Sequence, residues 1–513
     1  MKSFIYIMLA IVITSCNKII DVAPQSNLST LTYFKNTAEV NAGLTGCYNG
    51  LQAPMLTEWM LTDLRTDISR QGSASSSTVG NIELNELDMF TVNPPHAQVY
   101  NYWSNTYNNI RNTNLVLKNL AVSYDATSGT NVYGNITIPV AQVDRKRMAS
   151  EALFIRAYHY FNLVRLFGGV FILTEPILAA EAKKVNRSSA DEMYKLIIAD
   201  LKMASDSLSN VRFSQIPTTS LGRANAWSAK ALLAKVYLTL NRKSEAIVLL
   251  NDIIANSGYS LQSSYANVFS ISNEMNSEIL FAIRYKSGGL GIGSPFANTF
   301  APLNSGSNVV NGDGSGLNTP TTELDTAYVA ADARRALQIA YFGTGSTQRV
   351  YTRKYISPVT IVRDAENDWP VIRYADVLLM LAEAQGFSAS SIALINQVRV
   401  RTTLPALNTT TINTVELFEA ALSNERRLEF AFEDHRFFDL VRFGTTLTSV
   451  NAINTIRANF AREYARHYSQ YYAPVPTLAQ LQANINVDKL LLPIPQREID
   501  TNTQLVIPQN KGY

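Results

Sequence analysis

The clearest indication of the fold is in residues 223–258, "RANAWSAKALLAKVYLTLNRKSEAIVLLNDIIANSG". Two runs repeat apolar residues at helical spacing, and the polar turn "NRKS" lies between them. The first run contains Ala231, Leu232, Ala234, Tyr237 and Leu238, and the second contains Ala246, Ile247, Leu250 and Ile253. Small residues inside two antiparallel helices match the tetratricopeptide repeat of about 34 residues. Such pairs must stack to bury their faces, so we expect a mainly all-α, tetratricopeptide-like, right-handed helical array with long irregular loops.

Further helices are predicted on both sides of this pair. A similar pair occupies residues 374–405, and a long aromatic helix ends at the two glycines Gly168 and Gly169. Ser189 and Glu192 form a capping box at the start of another helix. Near Ala38, a stripe at helical spacing includes Cys47, which indicates a small core residue rather than a reactive thiol.

Two irregular segments interrupt the helical pattern. Residues 65–95 are polar and aperiodic, and residues 287–318 are rich in Gly, Ser and Asn. Long loops inside a compact domain are either mobile or functional, so both are candidates for ligand binding. The predicted organisation is a signal segment (1–15), a tether (16–36), an N-terminal helical region (37–286), the Gly-rich loop (287–318) and a C-terminal region (319–513).

The N-terminus predicts membrane attachment. An uncharged apolar run from Phe4 to Ile13 follows Lys2 and leads directly to Cys16. The run is too short to cross a bilayer and has the layout of a secretory signal. Its junction with Cys16 looks like the lipobox of bacterial lipoproteins, in which the cysteine is acylated and becomes the first mature residue. The alternative is a conventional secretory signal that happens to contain a cysteine.

Nothing in the sequence predicts catalysis, a metal or a cofactor. Glu425, Glu429 and Glu433 recur at helical spacing and could suggest a glycosidase pair. Arginines are interleaved with them, which lowers carboxyl pKa values and disfavours a general acid. The four histidines are scattered without metal spacing, and no phosphate-binding glycine motif is present. A net charge of +3 on 513 residues gives no basic footprint for nucleic acid.

Eight segments in register resemble one family. They are the lipobox, "YNGL" (48–51), "RAYHYFNLVRLFGGV" (156–170), "GRANAWSAKALLAKVYL" (222–238), "IRYADVLLMLAEA" (372–384), "INQVRVRTTLP" (395–405), "ERRLEFAFEDHRFFDLVRFG" (425–444) and "LLPIPQREIDTNTQLVIPQNKGY" (491–513). Together they resemble the SusD/RagB family of outer-membrane nutrient-binding lipoproteins. The resemblance implies a non-catalytic, lipid-anchored protein that faces the cell exterior. It also implies that the protein captures oligosaccharides, or peptides, for a SusC-like TonB-dependent transporter.

The family motifs are scaffold and do not identify the ligand residues. Saccharides need flat aromatic faces and fixed polar groups, so we expect the ligand residues in the irregular segments. The candidates, from position and chemistry, are Asp67, Arg70, Tyr100, Tyr102, Phe296, Phe300 and Asn304. Three alternatives stay open: a peptide or glycopeptide binder, a tetratricopeptide scaffold that only joins proteins, and a glycosidase using the Glu425 to Glu433 cluster.

Overall fold

The computed structural model describes residues 33–72, 81–472, 474–502 and 504–513. The predicted signal segment 1–15, Cys16 and most of the tether lie outside these residues. The helices are α1 (Thr37–Asn49), α2 (Gln52–Thr62), α3 (Ile82–Asp88), α4 (Ala97–Asn119), α5 (Gln142–Phe167), α6 (Ala179–Ala182), α7 (Ala190–Ser207), α8 (Ala226–Thr239), α9 (Lys243–Asn256), α10 (Tyr265–Val268), α11 (Phe296–Phe300), α12 (Thr322–Ala327), α13 (Arg335–Gln338), α14 (Tyr374–Gln385), α15 (Ala389–Arg401), α16 (Val415–Glu429), α17 (Arg436–Thr446), α18 (Ala452–Glu463), α19 (Ser469–Tyr471), α20 (Leu478–Asn484) and α21 (Gln496–Thr501).

Short strands form four antiparallel two-stranded ladders in the described part of the chain. They are β1 (Ser69–Arg70) with β5 (Thr319–Pro320), β2 (Val122–Asp125) with β3 (Thr130–Tyr133), β4 (Ile279–Ile283) with β8 (Trp369–Arg373), and β6 (Ala340–Phe342) with β7 (Arg349–Tyr351). The β1–β5 ladder pairs Ser69 with Pro320 and Arg70 with Thr319. The mainly helical fold predicted from the periodicity is therefore confirmed.

One continuous layer of helices runs through the molecule. In space, α5 packs on α7, α7 on α8, α8 on α9, α9 on α14 and α14 on α15. The alanine-rich stripe of α8 is fully buried, and Ala246 and Leu250 of α9 are 0% exposed, because small side chains let adjacent helices approach closely. The chain leaves this layer at residue 257 and returns to it at residue 374. The irregular residues between them separate α9 from α14 in the sequence, but the two helices are in contact in the structure.

Local signals explain where these helices begin and end. The backbone N–H of Glu192 donates to Ser189 Oγ at 3.2 Å, and Ser189 N–H donates to the Glu192 carboxylate at 2.8 Å, which confirms the capping box. Helix α5 ends at Phe167 because Gly168 adopts φ +70°, which glycine reaches without steric cost. Cys47 is buried in α1, as its stripe predicts, and burial raises the pKa of its thiol to about 12.

The irregular segments contain more structure than the sequence indicates. Residues 65–95 include the helix α3 and the strand β1, neither of which was predicted because the segment is polar and aperiodic. Within residues 287–318, the short helix α11 is buried among aromatic side chains. In the described part of the chain, no helix is both long enough and apolar enough to cross a membrane.

Candidate functional site

The carboxylates that could suggest a glycosidase form an internal ion-pair network. Glu429 is 0% exposed and accepts from Arg373 Nη1 at 2.9 Å and from Arg334 Nη1 at 3.3 Å, with a further ion pair to Arg401. Burial alone would raise its pKa, but the charges of Arg401, Arg373 and Arg334 outweigh burial and lower the pKa to about 2. A carboxyl held ionised in this way cannot act as a general acid.

The geometry of this cluster differs from the expectation in two respects. Helix α16 ends at Glu429, so Glu433 does not continue its face, and the turn between them contains Phe432 at φ +63°. The partners of the glutamates come mostly from elsewhere in the chain, for example Lys354, whose Nζ lies 2.7 Å from Glu433 Oε1. The interleaved Arg426, in contrast, pairs with Asp439 at 2.8 Å.

Asp67 and Arg70 lie beneath the surface. Asp67 is 2% exposed and accepts two hydrogen bonds from Arg436, at 2.7 and 2.8 Å. It also lies 3.2 Å from Arg427 Nη1. Arg70 Nη1 lies 3.1 Å from Glu463 Oε2, which is fully buried. These two residues, predicted as ligand contacts, instead support arginine and glutamate side chains that reach a surface groove.

The two predicted tyrosines have different surroundings. Tyr102 is 0% exposed, and its hydroxyl donates to Glu58 at 3.2 Å, so the ligand role predicted for it does not fit its place in the core. Tyr100 is half-buried, and the guanidinium of Arg497 lies 5.0 Å from its ring centroid. One face of the Tyr100 ring is therefore occupied by a cation.

Of the three candidates in the Gly-rich segment, the two phenylalanines are buried and Asn304 is exposed. Phe296 and Phe300 are each 1% exposed, and the Phe296 ring centroid lies 4.6 Å from that of Trp369. The expectation that these rings stack on a ligand conflicts with their burial, because no ring face reaches solvent. Asn304 is exposed and adopts φ +63° in a turn that Asp313 stabilises by accepting from the Asn304 N–H at 3.2 Å.

An open groove with polar walls lies above Asp67 and Arg70. It consists of two adjoining depressions of about 560 and 390 Å³, which share Arg427 and Arg462 in their walls. We call this feature the arginine groove. Its wall residues come from α12, α16, α18 and the segments around them and include Thr322, Glu323, Thr326, Arg427, Arg462, Glu463 and Arg466 in the larger depression and Ser423, Asn424, Arg436, Asn451, Asn454 and Thr455 in the smaller.

The walls of the groove are fixed by shared carboxylates. Glu323 pairs with both Arg462 and Arg427, the latter at 3.2 Å. Burial alone would lower the pKa of Arg427, but Asp67 and Glu323 raise it, so its guanidinium stays charged. Glu463 accepts from the Thr322 N–H at 2.8 Å and thereby ties α18 to α12. The groove consequently presents preordered donors and acceptors to a polar ligand.

One wall of the groove is a π-helical turn. Residues Tyr464–Tyr468 continue α18 with π-helical geometry, which is rare and frequently marks functional sites. Asp88 anchors this turn, because its two carboxylate oxygens accept from the hydroxyls of Tyr468 and Tyr472, each at 2.8 Å. Asp88 also accepts from the Gln71 N–H at 3.0 Å, so the first irregular segment is fastened to the same wall.

A second pocket, of about 430 Å³, lies near the C-terminal helix α21. Its walls include Trp103, Tyr107 and Phe171, whose rings pack against one another, with Trp103 and Phe171 edge to face at 5.9 Å. Trp103 is 2% exposed and therefore offers no free ring face. The arginine groove is the better candidate for a hydrophilic ligand.

The groove was not predicted from the sequence. Its arginines are separated in the chain, and only Arg462 and Arg466, four residues apart, give a local signal. Such a pair on a helix is also typical of an ordinary solvated face. The contacts from Asp67 and Arg70 link the predicted residues to the groove without placing them on its surface.

A helical array with an open polar groove and an ion-paired, buried carboxylate cluster defines a binding protein rather than a hydrolase. Two family models match the chain: the SusD family over residues 342–513, and a SusD-like family described as starch-binding and associating with the outer membrane over residues 18–238. The chain belongs to the SusD family, which confirms the resemblance. Members of this family are glycan-binding proteins and not enzymes, and the second description indicates association with the outer membrane.

Individual relatives agree along the whole chain. A SusD-like protein from Formosa agariphila is 27% identical, over 99% of this chain and 98% of the relative. Among solved structures, a laminarin-binding SusD-like protein is 26% identical, with a TM-score of 0.74 over 94% of this chain and all of that one. A surface glycan-binding protein A from Bacteroides thetaiotaomicron, in complex with laminarihexaose, shares the fold at 19% identity, with a TM-score of 0.72 over 92% of this chain and 99% of that one.

Proposed function

We propose that this protein is a cell-surface lipoprotein that captures oligosaccharides in the arginine groove and delivers them to a SusC-like TonB-dependent outer-membrane transporter. The observation that carries the location is the groove itself, whose volume and fixed polar walls suit a hydrophilic ligand of several rings. Family membership supports the ligand class, and the laminarin-binding relative favours a glycan over a peptide.

Attachment through Cys16 is part of the proposal. Acyl chains on Cys16 would hold the protein at the outer membrane, because two acyl chains together give stable anchoring whereas a single chain binds only reversibly. The residues after Cys16 would act as a tether, so that the helical body reaches a partner in the same membrane. Mass spectrometry of the intact mature protein measures the acyl addition, and protease treatment of whole cells measures exposure at the cell exterior.

The binding test uses full-length protein in detergent micelles and calorimetry against oligosaccharides and peptides. Thr326 is exposed in the larger depression, so Thr326→Trp would fill the groove without changing its charge. The matched control is Val143→Trp, on α5, where the side chain is 75% exposed and does not line the groove. We expect the first variant to lose oligosaccharide binding and the second to retain it.

Three results would contradict parts of the proposal. Binding of peptides but of no saccharide would replace the ligand class. Equal saccharide affinity in both tryptophan variants would remove the groove as the site. Purification of the tagged protein without a large β-barrel partner, from membranes in which that barrel is present, would remove the transporter from the proposal.

A further inference from the structure

The charges around the arginine groove are unequal. Five arginines meet three carboxylates there, namely Arg70, Arg427, Arg436, Arg462 and Arg466 against Asp67, Glu323 and Glu463. The whole chain has a formal charge of only +3 on 513 residues. Over these eight residues the site carries two more positive than negative charges.

The guanidinium N–H donors that remain available for a ligand belong to Arg462 and Arg466, the two most exposed arginines of the groove. Asp67 is occupied by Arg436 and Arg427, and Glu463 is occupied by Arg70. The side chain of Arg462 is 58% exposed and shares Glu323 with Arg427, so one carboxylate serves two guanidiniums. Arg466 is exposed and has no ion-pair partner among the residues that the structure describes. Both side chains have N–H donors left for a ligand.

The π-helical turn places Arg466 beside Arg462 at the groove. The turn departs from regular α-helical hydrogen bonding and is held by the contacts of Asp88 with Tyr468 and Tyr472. An irregular turn anchored by a buried carboxylate is a built feature of the site rather than a frayed helix end.

The remaining chemistry of the walls also favours an anionic ligand. None of the described residues that line the two depressions is aromatic, although neutral pyranose rings are usually held by stacking on aromatic faces. A guanidinium presents a planar fork of donors that matches a carboxylate or a sulfate group in a bidentate way. Asn424, Asn451 and Asn454 add amide groups that can bond to ring hydroxyls.

We propose that the arginine groove selects oligosaccharides that carry carboxylate or sulfate groups, with Arg462 and Arg466 as the residues that bind the anion. This inference rests on the proposed glycan-binding function and names the substrate class for it. The shared chemistry is an anionic group on a saccharide, and the source of the anion is resolved by the experiment.

The experiment is calorimetry on the full-length protein in detergent micelles with three ligand sets: neutral β-glucan and starch oligosaccharides, oligouronates, and sulfated oligosaccharides. We expect at least one anionic set to bind about tenfold more tightly than neutral chains of equal length. Raising the salt concentration from about 0.1 M to about 1 M shortens the Debye length from about 10 Å to about 3 Å and should weaken only the anionic ligands.

Substitutions of Arg466 test whether the preference for anionic saccharides arises in the arginine groove. Arg466→Gln should weaken anionic binding about tenfold, whereas Arg466→Lys should retain part of it, because the charge remains and the planar fork is lost. Arg111→Gln, which removes an exposed arginine of α4 outside the groove, is the matched control and should change nothing. Arg466 is exposed, so neither substitution disturbs the core.

The outcomes separate the two proposals. Neutral oligosaccharides that bind as tightly as anionic ones, in a groove that Thr326→Trp blocks, would overturn this inference and leave the proposed function intact. No binding of any saccharide would overturn both. Anionic binding that Arg466→Gln and Arg111→Gln reduce equally would reflect net charge alone and would overturn the assignment to the groove.

Discussion

Replacing Glu429 by glutamine tests whether the buried ion-pair network stabilises the fold. The substitution keeps the size of the side chain and removes the charge that Arg373, Arg334 and Arg401 share. The depression of the Glu429 pKa from 4.5 to about 2 corresponds to about 3 kcal/mol. Removing one partner of a buried ion pair typically costs about 3 to 5 kcal/mol. We therefore expect Glu429→Gln to lower the free energy of unfolding by about 3 to 5 kcal/mol at neutral pH.

The pH dependence provides a second signature. Because the pKa of Glu429 is lower in the folded protein, its contribution is fully present above the unfolded value near 4.5 and is lost as pH falls towards about 2. The difference in unfolding free energy between the original protein and the variant should be constant above about pH 5 and should narrow below it. A difference that widens as pH falls would contradict the cause given for the depressed pKa.

Urea titration followed by far-ultraviolet circular dichroism measures both quantities. The control is Glu416→Gln in the first turn of the same helix, an exposed site where we expect a change below about 1 kcal/mol. A loss below about 1 kcal/mol for Glu429→Gln, equal to that of the control, would refute the reasoning. Release of reducing ends from a glycan that Glu429→Gln abolishes would instead restore the glycosidase alternative.

Three further predictions follow from other parts of the molecule. Burial raises the pKa of Asp434, and it raises the pKa of the nearby acid Asp63 from 3.8 to about 7, so the protein should lose stability as pH rises from about 4 to about 7. Asp434→Asn should reduce that loss, measured by urea titrations at the two pH values. A Cβ on Gly169 would lie 2.1 Å from the carbonyl oxygen of Ser188, so Gly169→Ala should lower the melting temperature, whereas Gly46→Ala, in open space on α1, should leave it unchanged or raise it. Cys16→Ser should move the protein from the membrane fraction to the soluble fraction, and retention in the membrane, measured by immunoblotting, would count against lipid anchoring.

The helical half of the fold was predictable because its signals are local. The stripes of α8 and α9, the capping box at Ser189 and the glycine stop at Gly168 each depend on residues within a few turns of one another. The arginine groove depends on contacts such as Asp67 with Arg436, which are 369 residues apart in the chain. A contact between residues so far apart produces no periodic pattern in the sequence. The sequence therefore predicted residues near the arginine groove but did not predict the groove itself.

The aromatic residues of the Gly-rich segment show the same limit. Phe296 and Phe300 are the two aromatic side chains of a polar stretch, a pattern that fits either a ligand-binding surface or an anchor in the core. The packing of Trp369 and Tyr355 shows that the two phenylalanines are core anchors. The ring centroids of Trp369 and Tyr355 lie 4.5 Å apart, and these rings complete a cluster around the phenylalanines. Both of these partners lie more than fifty residues away in the chain, beyond any local pattern.

The packing of α9 against α14 also constrains how the chain becomes folded. The two helices are adjacent in space but are separated by residues 257–373, so the face of α9 stays uncovered until the later helix is available. Closing a loop of this length costs entropy before any contact compensates for it, which slows folding. A polypeptide whose central layer closes only when its last third is present stays unfolded longer during synthesis.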